Sequence, residues 1–381
     1  MVRIVGMAES TSRSAATLGG ARTLAQRYRQ FGEVDAAPTS PLYRRVAVAL
    51  SESDQALHAI GTAPARKRHP TIILAALQDL ALAGRAPALA KAYAAEDGDA
   101  AARAAVDTLV RMTDLVVATA VRRSLRTNEW GRHAVLYPAI AEAARRAGAN
   151  AVGLIDVDCS AGFNLNVDRV GIRYSTGQSL GDPSSPVQLS ASVVGSRPVP
   201  TRPLPEVVAR VGIDLHPVEV SDPDDARWLR ACLWPDQREQ IARLDAEVAL
   251  AATAPPVLLP GGAYEVLPEA LARVPREVLP VVTTTWALSR LPLESRLRFL
   301  HRLDEAAVDR AVAWVSVEGV GVAPAIPTLG DRRASGHSII GVAVFDQSSL
   351  HAEAVGRCWS QGRLLAWLAD SSSRRADAAD R

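Results

Sequence analysis

From Asn150 onward the chain alternates short apolar runs, most of them rich in Val and Ile, with stretches of helical periodicity, and this alternation restricts the fold more than any other feature. The runs are Ala151–Asp158, Val211–Val220, Pro255–Gly262, Leu279–Leu288, Ala311–Val320 and His337–Asp346. Strands separated by helices of about ten residues or more form βαβ units. Near-continuous apolar strands fit a sheet covered on both faces. The pattern predicts an α/β, doubly wound, mainly parallel Rossmann-like domain over residues 149–369. Residues 167–205 are rich in Pro, Ser and Gly and read as a hairpin-and-loop insertion at one sheet edge.

The preceding residues lack alternating strands. Ala21–Phe31, Pro41–Leu50, Pro70–Ala83, Ala101–Leu125 and Gly131–Ala147 carry apolar residues at i, i+3 and i+4, which predicts a helical N-terminal region over 1–148 that lids the open end of the sheet. Residues 370–381 are polar and read as a disordered tail.

Composition narrows the function classes. With 43 basic against 41 acidic residues and a net charge of +2, the chain lacks the basic excess of a nucleic-acid protein, so no nucleic-acid partner is expected. No apolar run approaches the roughly 18 residues of a membrane span, so no membrane partner is expected. The opening MVRIVGMAESTSRS lacks the pattern of a secretory signal, which makes cytoplasmic the expected location. Cys159, Cys232 and Cys358 lie far apart and outside metal-ligand spacing, so neither disulfides nor a metal is expected. Nothing in the sequence reports on oligomeric state.

Ligands of open α/β sheets bind beyond the carboxyl ends of the strands. The turn after the first run, Leu154–Leu165, is therefore the first place to look for chemistry. Asp156 ends the run, and Ser160, Ala161 and Gly162 are small enough for backbone to approach a ligand, the layout of a nucleotide-type cofactor loop. A tight turn without a ligand fits the same residues. So does a nucleophile elbow with Asp158 in place of the first glycine and Ser160 as nucleophile. That serine hydrolase would need Asp331 or Asp346 with His337 or His351. Asn164 and Asn166 either reach a ligand or cap the next helix.

Elsewhere, Trp228 and Trp234 read as a buried helix end, and Arg66–His69 as a solvated basic loop. Thr127 and Asn128 suit a helix start.

Several segments together resemble DUF2332, a family of uncharacterised bacterial proteins frequent in actinobacteria. They are SPLY (Ser40–Tyr43), TNEWGR (Thr127–Arg132), DVDCSAGFNLNVDR (Asp156–Arg169), GDPSSPV (Gly181–Val187), GIDLHPVEVSDPDDARWLRACLWPDQ (Gly212–Gln237) and VAWVSVEG (Val312–Gly319). The later two thirds of that family look like a class I methyltransferase binding S-adenosylmethionine. The resemblance implies a cofactor site built from Asp156, Asp158, Ser160, Gly162, Asn164, Asp214, Gly262, Ala263 and Thr285. Asp214, at the end of the second strand, would accept the ribose hydroxyls, because a carboxylate takes two donors at once. The methyl acceptor, expected to be a small molecule, would lie near Asn128 and Trp286, with Glu129, His133 or Glu318 as its base. Two departures from the family pattern bear on this. Asp158 stands where a glycine would let backbone meet the cofactor's carboxypropyl end, and Gly262 stands where an acid is usual. They favour, as the alternative, a methyltransferase-like binding or scaffold module without catalysis.

Overall fold

The computed structural model describes residues 23–126, 131–347 and 349–369, and its contacts divide the chain into two units. The first takes residues 1–127 together with Ser221–Asp245, and the second takes Asn128–Val220 and Ala246–Arg381. The division thus falls before the expected boundary at 148, and a segment placed by sequence in the sheet domain belongs with the helices.

In the first unit, local chemistry sets the helix starts. Pro41, Pro70, Pro87 and Pro223 each open a helix, where the missing N–H is no loss. Ser40, Ser53, Asp97 and Asp222 accept first-turn backbone N–H groups as N-caps. The periodic stretch Ala101–Leu125 is broken at Met112 into Gly98–Arg111 and Thr113–Arg122. Helix Pro70–Leu82 is buried along nearly its whole length, Gln78 and Asp79 included. Arg227 Nε donates to Asp79 Oδ1 at 2.8 Å, which neutralises that acid.

The Ser221–Asp245 segment enters this unit through specific contacts. Trp228 is 2% exposed, joins the helical core and donates from Nε1 to Ser124 O at 2.8 Å. Ser40 Oγ donates to Asp236 across 196 residues of sequence, and Leu42 N–H donates to the same carboxylate. SPLY and WLRACLWPDQ, two segments that carried the family resemblance, are therefore partners in one packing arrangement. Trp234 lies against Phe31 and Tyr43, so both tryptophans serve packing.

The second unit is built on an eleven-stranded sheet. Its strands are β1 (Ala151–Val157), β2 (Gly171–Tyr174), β3 (Ser179–Gly181), β4 (Gln188–Val193), β5 (Glu206–Asp214), β6 (Val257–Pro260), β7 (Leu279–Thr285), β8 (Val312–Gly319), β9 (Ser338–Asp346), β10 (Ser349–Trp359) and β11 (Leu364–Trp367). They lie in the order β3-β2-β4-β11-β10-β9-β8-β7-β1-β5-β6. The stretch β8-β7-β1-β5-β6 is parallel throughout, while β9 runs antiparallel to β8 and to β10. The unit is a mixed α/β fold whose central sheet is mostly parallel.

Helix Arg132–Ala147 packs on β7, β8 and β9 and is buried from His133 to Ala144. A helix apolar around most of its surface needs cover on more than one side, which is why it goes with the sheet. On the opposite face, Phe299 and Leu303 of helix Leu293–Ala306 join Trp314, Ile155 and Val282.

The route from β1 to β5, where the sequence predicts a hairpin-and-loop insertion over 167–205, holds a short 3₁₀ segment, Phe163–Arg169, and then β2, β3 and β4. The insertion does contain an antiparallel pair, β2 with β3, and β4 then pairs with β11 to extend the sheet. The run Val211–Val220 is strand only to Asp214, whose Oδ1 accepts the His216 N–H and turns the chain. Strands β10 and β11 carry no long apolar run and were not foreseen. The expected tail, 370–381, lies outside the described residues. Among the described residues no single helix is long and apolar enough to cross a membrane.

Candidate functional site

The order of the parallel strands reverses beside β1, since the chain goes from β1 outward to β5 and β6 and then returns to β7 on the other side. Where connections diverge, loops splay apart and leave a crevice at the carboxyl ends of the strands. A cavity of about 360 Å³ lies there. Its wall comes from the carboxyl ends of β1 (Val157) and β5 (Ile213, Asp214) and from the loops after β1 (Asp158), β5 (Leu215), β6 (Gly261 to Glu265) and β7 (Ala287, Arg290, Leu291), with Ser295. The size falls within the range of small-molecule sites, about 300–1,000 Å³.

Buried carboxylates hold the loops in place. Asp214, 4% exposed, accepts the Ser160 N–H on Oδ2 and the His216 N–H on Oδ1, both at 2.8 Å, and so ties the β1 loop to the β5 loop. Glu318, at the end of β8, accepts the N–H groups of Ala287 and Leu288 on Oε1 at 3.0 Å and fixes the β7 loop. Its Oε2 is buried as well. Burial pushes the Glu318 carboxyl up to about 7 against the pull of those backbone donors. Gly162 closes the β1 loop at φ +72°, a conformation that strains residues with a side chain.

Of the expected cofactor residues, Asp158, Asp214, Gly262 and Ala263 line the cavity. Asp156, Ser160, Gly162, Asn164 and Thr285 do not. Asp156 is fully buried, with Thr283 Oγ1 donating to Oδ1 at 2.7 Å and Asn164 Nδ2 to Oδ2 at 3.0 Å. Burial raises its carboxyl to about 6 although both donors and Arg132 oppose the shift. Thr285 Oγ1 accepts from Arg132, whose guanidinium lies 5.4 Å from the Trp286 ring centroid. Trp286 donates from Nε1 to Ser338 Oγ.

Of the expected bases, His133 and Glu318 do not line the cavity. His133 Nε2 lies 3.1 Å from Phe163 O, which can only accept, so Nε2 carries the proton, and the buried Nδ1 meets no hydrogen-bond partner among the described residues. Burial, the largest influence, holds this imidazole down at about 4. Asn128 and Glu129 lie outside the described residues.

Ser160 is engaged through its backbone, and no hydrogen bond joins it to a histidine among the described residues. His337 meets Asp331 at 2.9 Å, but Asp331 also accepts from Arg357, and the three form a cluster of their own. No group of three His, Cys, Asp or Glu residues among the described ones could hold a metal ion.

The sequence reading missed Arg290, which pairs with Asp158 Oδ2 at 2.8 Å. It also missed Leu215, Tyr264 and Leu291 in the wall. These residues sit just past strand ends, where periodicity stops and one sequence carries no signal for them.

The Glu318 carboxyl has a thermodynamic consequence. Its folded value of about 7 exceeds the ordinary 4.5, so the unfolded chain ionises first as pH rises and stability falls from about pH 4.5 through 7. Glu318→Gln cannot titrate. The unfolding free energy of the variant minus that of the wild type should rise across this window by on the order of 3 kcal/mol. Denaturant titrations from pH 4 to 8 measure the difference, and a flat one would exclude a buried titrating group. Asp156 acts with the same sign from about 3.8 to 6, and His133 with the opposite sign as pH falls from 6.5 through 4; both cancel in the comparison.

Fold and cavity together define a mixed α/β protein with a small-molecule-sized site at the carboxyl ends of its parallel strands. The chain belongs to DUF2332, described as an uncharacterized protein conserved in bacteria, whose family model matches residues 25–367. No curated protein and no solved structure matches it.

Proposed function

We propose that the cavity is a nucleoside-cofactor site and that the protein is an S-adenosylmethionine-dependent methyltransferase acting on a small molecule. The observation that carries this reading is the position of the cavity at the strand-order reversal. Numbered among themselves, the parallel strands run 3-2-1-4-5, the Rossmann-like order in which nucleotide ligands bind at that crevice.

The residues present fit such a cofactor. Ile213, Leu215, Leu291 and Tyr264 offer apolar and aromatic surface to a purine. Asp214 belongs to the wall, and a carboxylate has about four acceptor positions, so ribose hydroxyls are compatible with its two backbone bonds. Asp158, Asp214 and Glu265 line the cavity against a single basic residue, Arg290, and this excess of acids favours a cation such as a sulfonium.

S-adenosylmethionine, when bound, supplies the activated methyl group. The protein's part is positioning: Asp214 and Glu318 hold three loops so that the groups facing the ligand need not be ordered on binding. A small acceptor suits the near-neutral net charge. One observation favours a binding module without catalysis: neither His133 nor Glu318 lines the cavity.

Calorimetric titration with S-adenosylhomocysteine tests the site. Micromolar affinity is expected, and an absence of binding at millimolar ligand would remove the methyltransferase reading. Turnover with candidate acceptors then separates enzyme from binding module.

A further inference from the structure

The insertion that joins β1 to β5 ends in a proline-rich stretch, residues 198–205, that forms one wall of a second pocket in the sheet unit. Pro198, Pro200, Pro203 and Pro205 fix φ and stiffen the stretch. Three hydrogen bonds tie it down: Arg197 donates to Leu368 O, Gln178 Nε2 to Val199 O at 2.8 Å, and Leu204 N–H to Tyr137 Oη at 3.3 Å. A strap tied in this way and too stiff to collapse leaves about 450 Å³ between itself and Glu142, Arg145 and Trp367. This pocket shares no wall residue with the cavity at the strand ends. Arg132, which opens helix Arg132–Ala147, meets Thr285 at the end of β7, whereas Glu142 and Arg145 lie about 15–20 Å further along the helix axis.

The two arginines of this pocket are held differently. Glu142, its side chain 9% exposed, accepts from Arg145 Nε at 2.8 Å and Nη2 at 2.6 Å and from Arg146 Nε at 2.8 Å, so its charge is balanced within its own helix. That fork fixes the Arg145 guanidinium and leaves its Nη1 edge without a partner among the described residues. Arg202, on the strap, is exposed, and its guanidinium forms no ion pair or hydrogen bond among the described residues. The planar fork of arginine suits carboxylate and phosphate groups alike. A fixed guanidinium edge and an unpaired guanidinium on one pocket wall, beside proline rings, therefore match an oxyanion carried on a compact apolar body. We propose that this pocket is a second binding site, for a small organic oxyanion, in which Arg145 and Arg202 hold the anionic group and Pro198, Pro200 and Pro203 cover the apolar part. The site is independent of the cavity at the strand ends and stands whether or not that cavity takes a nucleoside.

Phenyl phosphate, benzoate and inorganic phosphate are the probes, titrated calorimetrically into the full chain at low ionic strength. The wild type should bind phenyl phosphate or benzoate with submillimolar affinity, and the tighter of the two identifies the anionic group as phosphate or carboxylate. Inorganic phosphate, which lacks the apolar body, should bind at least about fivefold more weakly than that probe. Arg202→Gln and Arg145→Gln should each weaken the tighter probe by about fivefold or more. Arg202 is exposed and unpaired, so its variant folds as the wild type does and decides the matter if Arg145→Gln does not fold. Arg66→Gln, on the exposed basic loop of the helical unit, should leave the affinity within about twofold. Absence of binding by all three probes at about 10 mM would overturn the proposal. So would unchanged affinity in Arg202→Gln, equal weakening by Arg66→Gln, or inorganic phosphate binding as tightly as the organic probes.

Discussion

Asp214→Ala is expected to lower the unfolding free energy by about 3 kcal/mol and to abolish S-adenosylhomocysteine binding in the calorimeter. The carboxylate is 4% exposed and accepts one backbone N–H on each oxygen, from Ser160 and from His216. Leaving a buried donor unsatisfied costs about 1–3 kcal/mol, and here two donors lose their acceptor at once. The same change releases the β1 loop from the β5 loop, so two walls of the cavity lose their common anchor. Asp214→Asn retains a carbonyl oxygen for one of the donors and should fall between wild type and alanine. Urea unfolding measures the stability change. A change below about 1 kcal/mol for the alanine variant would mean that water replaces the carboxylate at both amides and that it does not anchor the loops.

The second large effect belongs to the helical unit. Trp228→Ala is expected to destabilise that unit by about 3–5 kcal/mol, the range for deleting a buried indole. Trp228 packs into the helical core, donates to Ser124 O, and lies 5.9 Å from the Arg123 guanidinium, which pairs in turn with Asp225. Its helix, Pro223–Ala231, packs on the buried helix Pro70–Leu82, so the cavity would open against that helix. Thermal unfolding of wild type and variant should show the loss in the melting transition. Trp228→Phe keeps most of the volume but leaves the Ser124 carbonyl without its donor, and should lose less than half as much. Equal losses for the two variants would place the energy in the hydrogen bond rather than in packing.

Local elements were readable because their signals are local. The 3.6-residue periodicity of the N-terminal stretches and the runs that become β1, β7, β8 and β9 are properties of a few consecutive residues. The family membership was readable for a different reason, the order of long segments along the chain. The candidate site was legible only in part. Asp158, Asp214, Gly262 and Ala263 could be placed beside a crevice because they follow predicted strands and carboxyl ends are where crevices form. Asp156 and Glu318 also end strands, but their side chains point into packed surfaces, and strand position alone does not say which way a terminal residue faces.

The amino-acid sequence by itself determined the helical character of the N-terminal stretches, which runs become the central strands, and that an acid-containing small-residue turn follows the first strand. Tertiary structure decided the rest. It assigned helix Arg132–Ala147 to the sheet and Ser221–Asp245 to the helical unit, joined the insertion to the central sheet through β4 and β11, and brought Arg290 to Asp158. The physical reason is range. Capping, proline geometry and periodicity act over one or two turns of chain, whereas burial of an apolar helix, satisfaction of a buried carboxylate and pairing of two loop charges depend on residues that only the completed fold brings together.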